Sequence, residues 1–208
     1  MSKNESKYID RPLAKVILSY PSLFEKTSFG ESEPAYRANF ILDPENRDHA
    51  KLIKGLKADI KRLKERDFGS PKAKIKEDHL FLKEGDPAKP EQDGKYIIKA
   101  SSKKNVHVVD RKRQPIIAED DVIYSGCVVN AQITLGTYDA QIKDKETGKG
   151  MRIQGIKAYL NGVQFWADGD RLDGLKGVED MFEAYEDEDE DDEYEDDDED
   201  DDEEEDDE

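Results

Sequence analysis

The basic segment Lys95–Arg113 has the densest positive charge in the sequence and contains the side chains best suited to binding an anionic ligand. Seven Lys or Arg face a single acid there, Asp110. Apolar runs on both sides of a short polar stretch predict a strand, a turn and a second strand, so a hairpin would carry the charges along one edge or face. Tyr96 and His107 lie among them. Basic side chains can pair with phosphates while aromatic rings stack on bases of any identity. An edge strand that lysines protect from aggregation is the alternative.

Aromatic residues elsewhere also lie close to basic ones, as Tyr36 does to Arg37 and Tyr159 to Lys157. A single ring is more often part of a core, so only the set favours a nucleic-acid site. The predicted phosphate contacts are Arg37, Lys99, Lys103, Lys104, Arg111, Lys112, Arg113 and Arg152. The predicted stacking rings are Tyr36, Tyr96 and Tyr138.

The sequence does not match the patterns of common catalytic or metal sites. The three histidines are far apart and lack neighbouring ligands at zinc spacing. The phosphate-loop and G-x-S-x-G patterns are missing, and Asp168–Asp173 lacks the ligand and glycine that a calcium loop needs. Cys127 lies in an apolar run, which favours a buried core thiol. We therefore predict no catalytic residue, no metal site and no cofactor.

The last 23 residues, Glu186–Glu208, contain 22 Asp or Glu and one aromatic residue, Tyr194. They account for the net charge of -19, because the remaining residues carry a small positive excess. Such dense like charge repels itself and offers no apolar surface to bury, which predicts disorder. Extended, this segment reaches roughly 80 Å, so it can touch any face of a compact body. This composition is compatible with a tail that binds a partner and with a tail that only increases solubility.

The elements that would position these residues begin with two strands, Pro12–Tyr20 and Ala35–Leu42, each rich in apolar residues with strand alternation. Asp43-Pro44 then predicts a helix start. The helix runs to about Arg66, with Gly69 near the stop, because Leu and Ile recur at helical spacing and lysines occupy the other face. Residues 70–94 are rich in Pro and Gly, which predicts irregular structure apart from a short apolar turn.

Strand patterns return in KYIIKA, VHVVD, PIIA, the long run 122–138 and MRIQGIKAYLNGVQFWA. Gly126 and Gly136 interrupt the long run, where a strand can bend around a barrel. We therefore expect a mainly β protein with one main helix: an OB-fold-like, partly closed barrel of five to six strands. SH3-like barrels and a short β-sandwich are also compatible with the pattern. Residues 1–177 would form the domain and 178–208 the disordered acidic tail.

Membrane insertion is not predicted, because no apolar stretch approaches the 18 residues that a span requires. The N-terminal residues are polar and the single cysteine rules out an internal disulfide. We expect a soluble intracellular protein.

Four segments together resemble a family of bacteriophage single-stranded DNA-binding proteins. They are RPLAKVILSYPSLFE, YRANFIL-DP leading into the helix, YSGCVVNAQITLGTYD and GIKAYLNGVQF, followed by the acidic end. The resemblance covers roughly residues 10–175. It implies an OB-fold core, no enzymatic activity, and sequence-independent binding and protection of single strands during phage DNA replication, recombination and repair. The location would be the cytoplasm of the infected bacterial host.

The resemblance also implies that the acidic tail competes with DNA for the basic groove and contacts phage replication proteins such as the polymerase or primase-helicase. A homodimer is also compatible with the sequence. Tails of several related proteins end in an aromatic residue, whereas this chain ends in Asp206-Asp207-Glu208. A different hypothesis is a histone-chaperone-like or DNA-mimicking acidic protein whose tail binds basic partners. Such a scaffold has no need of the basic segment, and binding to poly-dT separates the two.

Overall fold

Seven strands and one long helix make up the described part of the chain. A computed structural model describes residues 7–28, 30, 32–143, 150–172 and 174. In chain order the elements are β1 (Ile9–Thr27), β2 (Ala35–Leu42), α1 (Arg47–Phe68), β3 (Leu82–Glu84), β4 (Tyr96–Ser102), β5 (His107–Val109), β6 (Val128–Lys143) and β7 (Gly150–Ala167). The predicted acidic tail, 178–208, lies outside the described residues.

Five of these strands close into a barrel. β1 pairs antiparallel with β2 and β6, β2 with β4, and β6 with β7. A short parallel pairing of β4 with β7, at Ala100–Ala158 and Ser101–Tyr159, completes the circuit. This connectivity is that of an OB-fold, so the prediction of a mainly β, OB-fold-like barrel with one main helix is confirmed. β3 and β5 extend the sheet as additional strands.

The barrel interior is filled by apolar side chains from every one of its strands. Each of the following is at most 1% exposed: Leu18, Phe40, Ile98, Ile133 and Leu160. Alternate residues on these strands face outward, because successive side chains of a strand point to opposite sides. Outward positions beside the barrel closure are therefore available for function.

Helix α1 begins at Arg47, not at Asp43-Pro44 as predicted. The side chain of Asn46 accepts hydrogen bonds from the amides of Asp48 and His49 and so caps the helix. Asp43 instead accepts from the amide of Glu45 in a local turn. The predicted stop is confirmed at Gly69, whose φ of 76° is left-handed and suits glycine.

A bidentate ion pair joins α1 to the barrel. Arg11 of β1 donates to both carboxylate oxygens of Asp59, at 2.5 and 2.6 Å. Asp59 is only 4% exposed, so this pair, together with the packing of Leu56 and Leu63, fixes the helix against the sheet.

The predicted hairpin in the basic segment is wrong. β4 and β5 each pair in parallel with β7, one after the other along the same edge, and not with each other in the described sheet. The chain therefore continues in one direction from β4 to β5 along β7. Five of the seven positive charges are therefore divided between two places, the loop at 103–106 and the turn at 110–114, while Lys95 precedes β4 and Lys99 lies within it.

Two other strand predictions need correction. The PIIA segment forms no strand in the described structure beyond an isolated bridge between Val109 and Pro115. Its Ile116 lies in a loop, and its side chain is buried. The long apolar run becomes a strand only at Val128, because residues 122–127 pack against the core as a loop. In both cases apolar composition reflects burial without strand pairing. Among the described residues, no helix is long and apolar enough to cross a bilayer.

Candidate nucleic-acid interface

A row of outward side chains crosses five strands where the barrel closes. One residue of each strand belongs to this row, and each is paired directly with the next. In the order β2, β4, β7, β6 and β1, the residues are Arg37, Ser101, Tyr159, Thr134 and Asp10. These side chains are partly or fully exposed. Both strand neighbours of Tyr159 and of Thr134 are core residues, as is one neighbour each of Arg37 and Ser101. We call this set the cross-strand row. It gives the outer surface a continuous polar and aromatic track perpendicular to the strands.

The cross-strand row borders a groove of about 580 Å³. Four cations and one acid line it: Arg37, Lys103, Lys104, Lys157 and Glu33. The remaining lining side chains are neutral, and hydroxyl and amide groups predominate among them. A groove with this charge suits a polyanion, because each cation can pair with a phosphate.

Two tyrosine rings form the aromatic part of the groove. The ring centroids of Tyr8 and Tyr159 are 6.1 Å apart with an interplanar angle of 83°. Both lie over Gly136 of β6, where an added Cβ would come within 2.9 Å of Tyr8 and 3.0 Å of Tyr159. The Nζ of Lys157 lies 4.5 Å from the Tyr159 ring centroid. Tyr8 is 46% exposed, so its ring is accessible for base stacking.

Contacts from β2 hold one wall of the groove in place. Arg37 donates to the carbonyls of Thr27 and Glu33, at 3.3 and 3.2 Å, and to Ser32 Oγ at 2.9 Å. Lys103 forms an ion pair with Glu33, and this hydrogen bond lowers the pKa of the Glu33 carboxyl.

Of the residues predicted from sequence, Arg37, Lys103 and Lys104 are brought together in the groove. Lys99 lies on the same outer face of β4, two residues before Ser101. Burial, and then the neighbouring charge of Lys83, lower the pKa of Lys99. A phosphate nearby would relieve that repulsion, so Lys99 extends the positive surface beyond the groove.

The predicted stacking tyrosines lie outside the groove. The Tyr36 hydroxyl donates to Asn105 at 3.0 Å. Tyr96 lies beside helix α1, where Lys57 donates to its hydroxyl at 2.8 Å and also lies over its ring. Tyr138 is half-buried and 3.0 Å from a ring nitrogen of His79, and burial raises its pKa.

The remaining predicted cations occupy two further places. Arg152 makes a bidentate pair with Asp139 near the far end of the β6–β7 ladder. Arg111, Lys112 and Arg113 lie in the turn after β5, and Arg111 contacts the ring of Trp166. The structure therefore separates what the sequence suggested as one hairpin surface.

Sequence reasoning noted that Tyr159 lies close to Lys157 but did not include either residue, or Tyr8, among the predicted contacts. The spacing of Lys157 and Tyr159, two residues apart in a strand, places both side chains on one face and could have added the pair to them. No local signal marks Tyr8, whose role depends on β1 reaching β6. Within the described ranges, no cluster of three or more His, Cys, Asp or Glu has the geometry of a metal site.

Comparisons with known proteins agree with this fold. A chain described as putative protein p50 of Acyrthosiphon pisum secondary endosymbiont phage 1 is 33% identical over 190 residues, covering 85% of this chain and 96% of that protein. The single-stranded DNA-binding protein from bacteriophage Enc34 in complex with ssDNA has a TM-score of 0.62 at 23% identity, covering 78% of this chain and 89% of the other. For gp2.5, the single-stranded DNA-binding protein encoded by bacteriophage T7, the TM-score is 0.51 at 15% identity, with 83% and 92% covered.

The two structural likenesses establish the fold, while family membership depends on the sequence. Residues 12–194 match the family model described as Enterobacter phage Enc34, ssDNA-binding protein. That range includes the cross-strand row from Arg37 to Tyr159 and all the barrel strands except the first residues of β1. The chain belongs to the family of the Enterobacter phage Enc34 ssDNA-binding protein.

Proposed function

We propose that this protein binds single-stranded DNA without sequence preference, across the barrel through the cross-strand row. The observation that carries the proposal is the juxtaposition of the Tyr8–Tyr159 ring pair with four cations in one groove. Rings stack on any base and cations pair with any phosphate, so this chemistry binds the strand without reading its sequence.

The groove lies where OB-folds bind oligonucleotides. In these folds the ligand contacts the face of the second and third barrel strands and the loops beside it. Here those strands are β2 and β4, which supply Arg37 and Ser101, and the segment after β1 supplies Glu33. Four phosphate contacts predict a slope of log affinity against log salt near about -3 for a single strand.

The biological role that we infer is protection of single strands during phage DNA replication, recombination and repair, in the cytoplasm of the infected bacterium. Family membership supports this role. The protein would act by binding alone, with no catalytic step. The Enc34 relative, whose structure is of a complex with ssDNA, supports the choice of ligand.

The acidic segment Glu186–Glu208 would regulate binding by competing with DNA for the positive groove. Its 22 acids far exceed the small positive charge of the remaining residues, and a short tether gives effective concentrations of order millimolar. We further propose that the same segment contacts replication proteins such as the polymerase or primase-helicase.

A low-salt titration of fluorescent poly-dT tests both parts. The intact chain is compared with a chain ending at Tyr185, at several salt concentrations. Both should bind, and the shorter chain should bind more tightly, most clearly at low salt, because an intramolecular polyanion has been removed. Failure of the shorter chain to bind would overturn the DNA-binding proposal. Equal affinity of the two chains at every salt concentration would leave binding standing and reject competition by the tail.

A further inference from the structure

We propose that Trp166 is a second base-stacking site, where the same DNA strand is held about 20 Å along β7 from Tyr159. The inference rests on the proposed function and extends its binding path. Trp166 is the extra residue at a register shift between β6 and β7, and its ring lies on the outer surface, where the exposed side chains of Lys15 and Arg111 contact it. It is partly exposed and is the only tryptophan in the chain.

Two cations converge on the indole ring. The Nζ of Lys15 is 4.9 Å from the ring centroid and the guanidinium carbon of Arg111 is 5.1 Å from it. Arg111 is also fixed by a hydrogen bond from Nε to the Trp166 carbonyl. The combination of one large ring and two cations is the same chemistry as in the Tyr8–Tyr159 groove, and it suits a base with its flanking phosphates.

The backbone of Lys15 is held in an uncommon conformation. Lys15 has φ of 52°, at a bulge between Leu13 and Val16 of β1. Two side chains satisfy its backbone groups: the amide donates to Asn130 Oδ1 at 2.9 Å, and His49 Nε2 donates to the carbonyl at 3.0 Å. His49 Nδ1 accepts from the amide of Asp43, which fixes this tautomer. Non-glycine residues with positive φ persist where the surroundings enforce them, often at binding sites.

A chain of hydrogen bonds links the two cationic segments that contact the Trp166 ring. Asn130, which holds Lys15, donates to Gln164 Oε1 at 3.1 Å, and Gln164 donates to the carbonyl of Asp110 at 3.1 Å. Asp110 immediately precedes Arg111. The bulge of β1 and the turn after β5 are therefore fixed relative to each other, so the site around Trp166 is preorganised.

A second groove lies along β6 and β7 between the two aromatic sites, lined by Gln132 and Gly162 on one side and by Asn130 and Gln164 toward Trp166. Its volume is about 500 Å³, and Gln132 and Gly162 line it directly beyond Thr134 and Asn161 of the first groove. Arg113 also lines this second groove and adds positive charge. A DNA strand that turns away from the cross-strand row at Tyr159 can follow β6 and β7 toward Trp166 without crossing an acidic side chain among the lining residues of the second groove.

Lys15 must give way when a base stacks on Trp166. A stacked base contributes more binding free energy than a cation over a ring at an exposed site. Lys15 is exposed and can turn toward a phosphate instead. When DNA binds, the side chains of Lys15 and Arg111 then exchange their contacts with the ring for contacts with phosphates.

Intrinsic fluorescence tests the proposal, because all tryptophan emission comes from Trp166. The full chain is saturated with end-labelled oligo-dT of about 16 nucleotides, at the upper end of the site size of an OB-fold. Anisotropy of the label reports occupancy, while acrylamide quenching reports access to the indole. We expect the emission to change and acrylamide quenching to fall on binding.

Full occupancy with unchanged emission and quenching would overturn the second site and leave the proposed function intact. If the label shows no binding, even for the chain ending at Tyr185, the proposed function itself fails.

Variants give an independent measurement. Trp166→Ala should weaken binding by about 5- to 150-fold, whereas Trp166→Phe, which keeps a ring, should retain most of the affinity. Lys15→Ala should reduce the salt slope by about 0.7. Lys54→Ala, which removes an exposed lysine from helix α1, is the matched control and should leave the slope unchanged.

The site would be rejected by equal slopes for the Lys15 and Lys54 variants, or by full affinity of a folded Trp166→Ala protein. Should that variant not fold, the acrylamide measurement on the intact chain decides.

Discussion

Tyr8 and Tyr159 meet edge to face above Gly136, with ring centroids 6.1 Å apart. Tyr8 immediately precedes β1 and Tyr159 lies in β7, and β6 between these strands supplies the glycine. Edge-to-face rings stabilise each other by about 0.5–1.5 kcal/mol beyond simple burial. The pair is therefore ordered before a ligand arrives, which reduces the entropy that DNA binding has to overcome.

Gly136→Ala should weaken DNA binding without unfolding the barrel. The new Cβ would lie 2.9 Å from the Tyr8 ring and 3.0 Å from the Tyr159 ring, so the exposed Tyr8 side chain must turn away and the pair is lost. We expect a decrease in poly-dT affinity of about 3- to 10-fold, consistent with loss of part of one stacked base. Fluorescence anisotropy measures the affinity, and circular dichroism checks the fold.

Gly155→Ala is the matched control, because Gly155 also lies beneath a tyrosine ring. There the added Cβ would be 2.3 Å from the ring of Tyr138, which is half-buried and cannot turn away freely. This variant should lower the melting temperature and leave DNA affinity nearly unchanged. A loss of affinity equal to that of Gly136→Ala would show that the binding surface extends to Tyr138.

Replacing Tyr159 with alanine should cost about 1 to 3 kcal/mol of DNA-binding free energy, the usual contribution of one stacked base. Tyr96→Ala removes a ring of the same type beside helix α1 and Lys57, away from the groove. It should bind poly-dT like the unaltered protein. The reverse ranking of the two variants in anisotropy titrations would move the interface to the helix side of the barrel.

Glu33→Gln should increase DNA affinity. Glu33 is the one acid among the residues lining the first groove, and it occupies Lys103 in an ion pair. The amide keeps the size of the side chain but frees the lysine for a phosphate and removes a repulsive charge. The gain should be largest at low salt, because exposed charges are screened as salt rises. Lys103→Ala should abolish most of the effect in the double variant; an undiminished gain there would mean that Glu33 acts on the strand directly.

The Asp139–Arg152 pair predicts an acid-dependent contribution to stability. The Arg152 hydrogen bonds, and then that of Gln154, lower the pKa of Asp139 from 3.8 to about 2. Because the folded-state pKa lies below the unfolded one, the pair stabilises the fold above pH 3.8 and this contribution is lost as the pH falls through about 2. The difference in melting temperature between the unaltered protein and Asp139→Asn should be present at neutral pH and vanish toward pH 2. A constant difference across that range would exclude the charge as its cause.

Local patterns in the sequence predicted several elements well. The alternation in Ala35–Leu42 predicted β2 with the observed bounds, and the helical spacing of Leu and Ile predicted α1 with its stop at Gly69. These features depend on neighbours in the chain, where side-chain period and backbone conformation are set. The start of α1 was missed because Asp43 and Asn46 are both good caps, and only the structure shows which amides each one meets.

The candidate site was only partly predictable, for reasons that involve distance along the chain. Composition identified a positive body with a polyanionic end, and it named Arg37, Lys103 and Lys104 among the candidate phosphate contacts, which the fold brings to one groove. Composition could not show that β4 and β5 both follow β7, which divides the basic segment and places Arg111 with Trp166. The sequence by itself determined the charges, the helix and most of the strands, because these depend on local chemistry. The tertiary structure alone decided which rings meet which cations, since Tyr8 reaches Tyr159 only through pairing of strands far apart in the chain.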